Sequence, residues 1–259
     1  MQPKLFALIS NPTSTIAEVV DVIKHDQVMA SRIVAMANAP AFGQNGSIRD
    51  IEHAVFVLGF DSVKTIALGI SLFVMFPLSR STLKYLWAHS FAVAVMADMV
   101  FAKSGRLERG TCFLAGLVHD IGRLVLMHLE TDKYLSEIIE NKSLKKGTLC
   151  EVEKHLFSCD HQEAGGWFLE KLALPKEMVA VASSHHLPAE ALHCGEMAAA
   201  TCLAEALVVR CDRNSYGDGV WVDDHQNIAA VFSLSAPDLE DLVSRFRDEH
   251  TRLKSFFGV

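Results

Sequence analysis

The residues best placed to do chemistry in this chain are His119 and Asp120, adjacent in the apolar run Gly116-Leu117-Val118-His119-Asp120-Ile121-Gly122-Arg123-Leu124-Val125-Leu126. The run reads as the middle of a buried helix. Taking an imidazole and a carboxylate into such an interior costs several kcal/mol unless a metal ion or a dense hydrogen-bond network satisfies them. Further ligand-type side chains stand far away in sequence: His89 upstream, then His161, the pair His185-His186 and Glu205 downstream. Only a folded helical bundle could bring residues so widely spaced together. The set is therefore a hypothesis about one site.

The elements that would have to position these residues read as helices nearly throughout. Thr15-Ile16-Ala17-Glu18 is a capping-box start, with Ile16, Val19, Val20 and Ile23 on one apolar face. A second helix begins near Asp26 and stops at Asn38-Ala39-Pro40, before the turn Phe42-Gly43-Gln44-Asn45-Gly46. Ser47 is placed to cap the next helix, ended by Gly59, and Asp61 to cap another that runs to about Phe76. The break Pro77-Leu78-Ser79-Arg80-Ser81 marks the boundary of an N-terminal lobe.

A long helix then carries Trp87 and His89 from Thr82 to about Lys103, the turn Ser104-Gly105-Arg106 follows, and the His119-Asp120 helix comes next. Shorter helices are expected over 132–141, 148–157, 161–172 and 176–185, and one from Pro188 through Ala198, Leu203 and Leu207. Gly165-Gly166 implies close helix approach, because a helical glycine costs about 1 kcal/mol without a packing reason. Residues 213–224 read as a loop, and Ser235-Ala236-Pro237-Asp238 opens a charged C-terminal helix. No β-period and no repeat is visible. The expectation is an all-α, two-lobed bundle: an N-terminal lobe over 1–80, a second lobe over 81–212, and 213–259 packing on both.

Composition narrows the function classes. The chain has 259 residues, half of them hydrophobic, which is ample for a large core. Its formal net charge of −7 argues against a nucleic-acid binder, whose affinity comes from clustered Lys and Arg. Six cysteines (Cys112, Cys150, Cys159, Cys194, Cys202, Cys211) form no Cys-x-x-Cys pair and read as reduced, buried residues of a cytoplasmic protein. The start Met1-Gln2-Pro3-Lys4-Leu5-Phe6 has no signal-peptide pattern. The apolar run from Thr65 to Leu78 is shorter than the roughly 20 residues a span needs, so it reads as a core helix and no membrane partner is expected. As a DNA-reading helix after the Leu58-Gly59-Phe60-Asp61 corner, it would be too apolar.

The Gly-Leu-Val-His-Asp-Ile-Gly-Arg run, Trp87-Ala88-His89-Ser90 and His185-His186 resemble the HD superfamily of metal-dependent phosphohydrolases. Within it, His25-Asp26-Gln27-Val28, Ala37-Asn38-Ala39-Pro40-Ala41-Phe42-Gly43, Ile51-Glu52-His53-Ala54 and Leu58-Gly59 resemble the HDOD module, a bacterial signalling output domain, over roughly residues 5 to 210. The resemblance implies an HD-like second lobe. It also implies a ligand set for two or three divalent metal ions (iron, manganese or zinc): His89, His119, bridging Asp120, His161, His185, His186 and Glu205. Arg123 stands where the cyclic-dinucleotide phosphodiesterase branch has a phosphate-binding Lys. Imidazoles and carboxylates suit those metals, and a metal pair can generate hydroxide and neutralise phosphate charge.

The departures are specific. Tyr85 stands where that branch often has a Glu ligand, and Leu187-Pro188 follows His186 in place of the substrate motif. Glu205 replaces an Asp, moving its carboxylate by about 1.5 Å. A hydrogen-bonded His-Asp pair without metal, and a partly exposed Glu205, remain open beside the ligand reading. His53, His128, His155, His193, His225 and His250 have no motif context and read as surface or hydrogen-bonded histidines. The HDOD resemblance implies a non-catalytic regulatory module acting through signalling protein partners, with a remnant metal or nucleotide site. A metal-dependent phosphohydrolase is the alternative.

Overall fold

The computed structural model describes residues 8, 14–38, 47–76, 80–105, 111–140, 148–211 and 219–257, and these fold as helices with no strand among them. The turn at 39–46, the break at Pro77–Ser79, Arg106, the opening Met1–Phe6 and the 213–218 part of the expected loop lie outside the described residues.

Among the described residues, the helices α1 (Ile16–Lys24), α2 (Gln27–Ala37), α3 (Ile51–Leu58) and α4 (Phe60–Val74) follow one another after residue 8. The Thr15 capping box forms as expected: Thr15 Oγ1 accepts from Glu18 N, and the Glu18 carboxylate accepts from Thr15 N at 2.9 Å. Asp26 Oδ1 accepts from Met29 N at the start of α2. Asn38 pins the chain beyond α2 from both sides, its Nδ2 donating to Ile48 O at 2.8 Å and its Oδ1 accepting from Ile48 N at 2.9 Å.

Two expected caps are corrected. Asp50, not Ser47, caps α3, with Oδ1 accepting from His53 N at 2.8 Å. Asp61 falls inside α4, which begins at Phe60 straight after Gly59, whose φ of +84° suits a glycine. Val63, Ile66, Ala67, Ile70 and Phe73 are buried at helical spacing, so α4 is a core helix and no groove reader.

The helices that follow are built around α5 (Arg80–Lys103), which packs on α6 (Thr111–Val118), on the later helix α13 (Glu196–Cys211) and on the C-terminal α15 (Ala236–Phe257). Between them run α7 (Ile121–Leu129), α8 (Thr131–Tyr134) with a π-helical segment Leu135–Glu140, α9 (Leu149–Phe157), α10 (His161–Lys171), α11 (Lys176–Ser184), α12 (Pro188–Cys194) and α14 (Asp224–Val231). The expected helix from Pro188 through Leu207 is two helices, parted at Gly195 with φ +111°. Leu83–Lys103 and Cys112–Leu129 are long and apolar enough to cross a membrane, yet 78% and 89% of the most apolar stretch of each lies buried in the fold. Both stretches are core here, the second divided between α6 and α7. The cysteines are all free, but only Cys112 and Cys202 are buried; Cys194 is exposed, which corrects the expectation for the set.

The continuous helix expected through His119-Asp120 is also corrected. The chain leaves helical hydrogen bonding at these two residues, and Asp120 (φ −93°, ψ 15°) starts α7. Neighbours in an unbroken helix point about 100° apart. The break turns two adjacent side chains toward one point.

Glycines set how closely the helices around this point approach. A Cβ on Gly122 would lie 1.8 Å from the carbonyl oxygen of His161, one on Gly116 2.5 Å from Ala94 Cα, and one on Gly69 2.3 Å from Leu117 Cδ2. Gly165 faces Gly122 in the α7–α10 contact, and Gly166 faces Ser183, which bears out the close approach read from the pair. Gly122→Ala must push α10 off α7 at backbone level. We expect it to destabilise the protein by about 1–3 kcal/mol or more in chemical denaturation, and more than Gly165→Ala does.

Glu249, on the core-facing side of α15, is buried with no partner for Oε2. Burial raises its pKa to about 7, against the opposing pull of Arg252. A carboxyl whose folded pKa is raised from 4.5 to about 7 favours the fold while protonated, and that advantage drains away as pH climbs from 4.5 to 7. Glu249→Gln should leave Tm unchanged at pH 4 and raise it above pH 7, with the gain growing between about 4.5 and 7 in thermal melts.

Candidate metal centre

Helices α5, α10, α11 and α13 and the α6–α7 break bring the expected residues together. His89, His119, Asp120, His161, His185 and Glu205 are each at most 3% exposed. Asp120 stands between two groups. Its Oδ2 lies 3.6 Å from Nε2 of both His89 and His119, and Glu205 Oε2 lies 3.0 and 3.6 Å from the same two nitrogens. Its Oδ1 lies 3.5 Å from Nε2 of both His161 and His185. His186 joins this second group, its ring centroid 4.2 Å from that of His185. Each group, Asp120 with the three later histidines and His89 with His119 and Glu205, could hold a metal ion, and Asp120 Oδ2 also faces the second of them.

The hydrogen bonds behind the imidazoles fix which nitrogen faces the centre. His119 Nδ1 lies 2.7 Å from Gly116 O, and His185 Nδ1 lies 3.2 and 3.1 Å from the carbonyls of Val181 and Ala182. His161 Nδ1 lies 2.6 Å from Glu153 Oε2. A carbonyl or carboxylate can only accept, so each Nδ1 carries the proton and donates it, leaving Nε2 as a lone pair. The His161 and His185 Nε2 atoms, so assigned, stand 3.2 Å apart and both face a carboxylate oxygen. Lone pairs set against an anion call for a cation. His119 Nε2 and Asp120 Oδ1 are buried without hydrogen-bond partners, as metal ligands awaiting an ion would be, and His89 Nε2 and Glu205 Oε2 face each other at 3.0 Å.

Charge supports the same reading. Burial and the neighbouring His186 push the His185 pKa down to about 3, and burial also lowers that of His119. A proton is thus a poor candidate for the cation between His161 and His185. Burial opposes ionisation of Glu205, but the charge and hydrogen bond of His89 outweigh it and bring its pKa to about 2. For Asp120 burial is likewise outweighed, by His119 and the Arg123 guanidinium, and the carboxyl stays well below the usual range. His89 moves the other way: burial lowers it, yet Glu205 and Asp120 together raise it.

The structure answers several expectations. Glu205 is buried, not partly exposed; the backbone N–H of Gly219 holds its Oε1 at 3.2 Å and leaves Oε2 toward His89. Arg123 is buried too, its Nη1 donating to Asp120 Oδ2 at 3.0 Å. Residues that sequence reasoning passed over also shape the site: Glu153, Tyr134, Gln162 and His225. Gln162 Oε1 accepts from His186 N at 3.1 Å, while His225 Nδ1 accepts from Val222 N and its ring stacks on Trp221.

A cavity of about 580 Å³ opens onto the second group. His185, His186, Gln162, His225 and Cys202 line its floor and walls, together with the carboxylates Glu151, Asp160, Glu163, Glu190 and Glu205. Among the described residues that line it, the only Lys or Arg is Lys154, whose Nζ already sits 3.2 Å from Asp160 and 3.4 Å from Glu163.

Acid should report on the centre in metal-free protein. Because the folded Glu205 pKa of about 2 lies below the unfolded value, its ionisation favours the fold fully above pH 4.5, and that contribution disappears as pH falls toward 2. Glu205→Gln should therefore flatten the acid limb of stability between about pH 4.5 and 2, measured by denaturation after chelator treatment.

The fold has relatives among solved structures. An HDOD domain protein of unknown function from Geobacter sulfurreducens superposes with a TM-score of 0.70 at 23% identity, over 99% of this chain and 90% of that one. A candidate phosphohydrolase from Shewanella amazonensis SB2B gives 0.72 at 18% identity, over 98% and 91%. A candidate signal transduction protein from Marinobacter aquaeolei VT8 gives 0.67 at 19% identity, over 99% of this chain and 58% of that one. No curated protein matches the sequence significantly. The family profile described as the HDOD domain matches residues 1–188, most of the chain, and covers both the N-terminal helices and the His-Asp segment. The chain belongs to the HDOD domain family.

Proposed function

We propose that this chain is a cytoplasmic bacterial signalling module that holds a divalent metal pair as a structural or sensing element and acts through protein partners, with little or no hydrolysis of cyclic dinucleotides. The observation that carries this reading is the charge of the cavity above the centre. A cyclic dinucleotide brings two phosphates, and a site that orients it needs cations beyond the metals. Among the described residues that line it, the cavity offers five carboxylates and one lysine already bridged to two of them. Arg123, the candidate phosphate ligand, spends its Nη1 on Asp120 and does not line the cavity.

Iron, manganese and zinc all suit the donor set of imidazoles and carboxylates. The residues present would hold one ion through His89, His119, Glu205 and Asp120, and the other through Asp120, His161, His185 and His186. A bound pair would supply the missing positive charge and keep the centre dry. Large apolar side chains left in solvent, Phe56 at 88% exposure, Leu129 at 70% and Trp167 at 58%, provide surface for protein contacts. Six free cysteines agree with a reducing compartment. A nucleotide remains a ligand to be tested. Nucleic acid is disfavoured by the net charge of −7.

A metal-dependent phosphohydrolase is the second reading, and one observation favours it: the cavity reaches the second metal group directly, so a substrate could meet it. Two measurements separate the readings. Metal analysis of protein purified without chelator or affinity tag should find bound transition metal, and the reconstituted protein should turn over cyclic dinucleotide far below about 1 s⁻¹. Turnover at or above that rate, abolished in His119→Ala or Asp120→Ala, would replace the signalling reading with the phosphohydrolase.

A further inference from the structure

Glu153 is wholly buried, on α9, and it makes no ion pair with Lys or Arg among the described residues. Its donors come from two residues. Tyr134 Oη donates to Oε1 at 2.7 Å; the backbone N of His161 and its ring Nδ1 donate to Oε2 at 2.8 and 2.6 Å. Tyr134, on α8, is itself wholly buried and stacks on Phe157 at the end of α9. Burial, then the neighbouring Glu153 charge, holds its phenol well above the usual range, so it stays a donor at any ordinary pH.

A merely structural role for Glu153 would be to cap α10. That task is already done by Asp160 and Glu163, which form a complete capping box at the same helix start. What Glu153 adds is an anion behind one imidazole. His119 and His185 give their Nδ1 protons to neutral carbonyls; His161 gives its proton to a carboxylate, at 2.6 Å. A charged acceptor makes a shorter and stronger bond. It fixes the ring's tautomer and orientation and makes the opposite nitrogen a better donor to a metal.

We propose that Glu153, oriented by Tyr134, is a positioning residue for the three-histidine half of the centre, aiming the His161 Nε2 lone pair at Asp120 Oδ1 and strengthening metal binding in that half alone. The other half has a different supply of negative charge: Glu205, placed directly among the candidate ligands. The two halves thus draw on different carboxylates. The inference about metal rests on the metal-pair reading; the Glu153–His161 bond does not.

Two readouts test it. In chelator-treated protein carrying isotope-labelled histidine, proton NMR should show a low-field His161 Nδ1–H resonance that Glu153→Gln abolishes and Tyr134→Phe shifts. Cobalt(II) titration of the same proteins, followed by visible absorption, should show two ions in the wild type. Glu153→Gln should weaken one of them by about 10–100-fold and leave the other, whereas Glu205→Gln should weaken the one Glu153→Gln leaves. Tyr134→Phe should act on the same ion as Glu153→Gln, but less. If Glu153→Gln fails to fold by circular dichroism, Tyr134→Phe carries the test, and an unchanged resonance and titration in it overturn the proposal. Equal loss of both ions in Glu153→Gln, or no loss, overturns it as well. A wild type that takes up no cobalt rejects the metal pair, and absence of the low-field resonance separately rejects the Glu153–His161 arrangement.

Discussion

The Asp120 carboxylate is wedged between two sets of imidazoles, 3.5 Å from His161 and His185 on one oxygen and 3.6 Å from His89 and His119 on the other. An ionised carboxylate in so dry a place costs several kcal/mol unless it is matched. Arg123 matches part of it from one side. The remainder must come from the centre itself, where Glu205 adds a second negative charge and the lone pairs add none. Two buried carboxylates face one guanidinium, and they raise the pKa of His89, the imidazole between them, so the pocket is one that favours cations.

That constraint propagates into the backbone. Five different segments have to reach one point, and side chains as short as Asp and His reach it only if their helices nearly touch. Hence Gly122 lies under the carbonyl of His161, with no room for a methyl group, and Gly116 lies against the backbone of Ala94, one turn beyond His89. The break at His119-Asp120 answers the same demand, since a continuous helix would aim the two side chains apart. Close packing here is the condition for the polar site, and the glycines are its visible trace.

Much of this was legible in the sequence. An all-α chain, the Thr15 capping box, the long helix bearing His89, and the close approach at Gly165-Gly166 follow from helical periodicity, capping residues and glycine cost. The His-Asp run was visible because polar residues stand out in apolar text. The helix break was not, since nothing in Val118-His119-Asp120-Ile121 disfavours a helix strongly and tertiary geometry decided it. The Arg123 partner could have been found: Asp120 is three residues earlier, on the same face of a helix. Glu153 also left a trace. Leu149, Val152, Glu153 and Leu156 share the i, i+3, i+4, i+7 stripe, so a glutamate occupies a core position of α9. Its partners, His161 and Tyr134, come from neighbouring elements and could be known only from the fold.

The position of the centre bears on how a signalling module of this kind could work. Helix α4 of the N-terminal group packs on both α6 and α7, the two helices that flank the His119-Asp120 break, with Gly69 tight against Leu117. On the proposed reading, a metal pair between the imidazoles would set the separation of α5, α10, α11 and α13, and with it the lie of the α6–α7 corner. A ligand shifts a conformational balance only by its difference in affinity for the two states. A metal pair satisfies that condition here, because the same side chains that bind it would be left with opposed lone pairs and unmatched carboxylates in its absence. The coupling needs no long pathway: α4 touches the corner that carries two of the ligands. Under the proposed reading, loading the centre and presenting the N-terminal helices to a partner are two consequences of one packing arrangement.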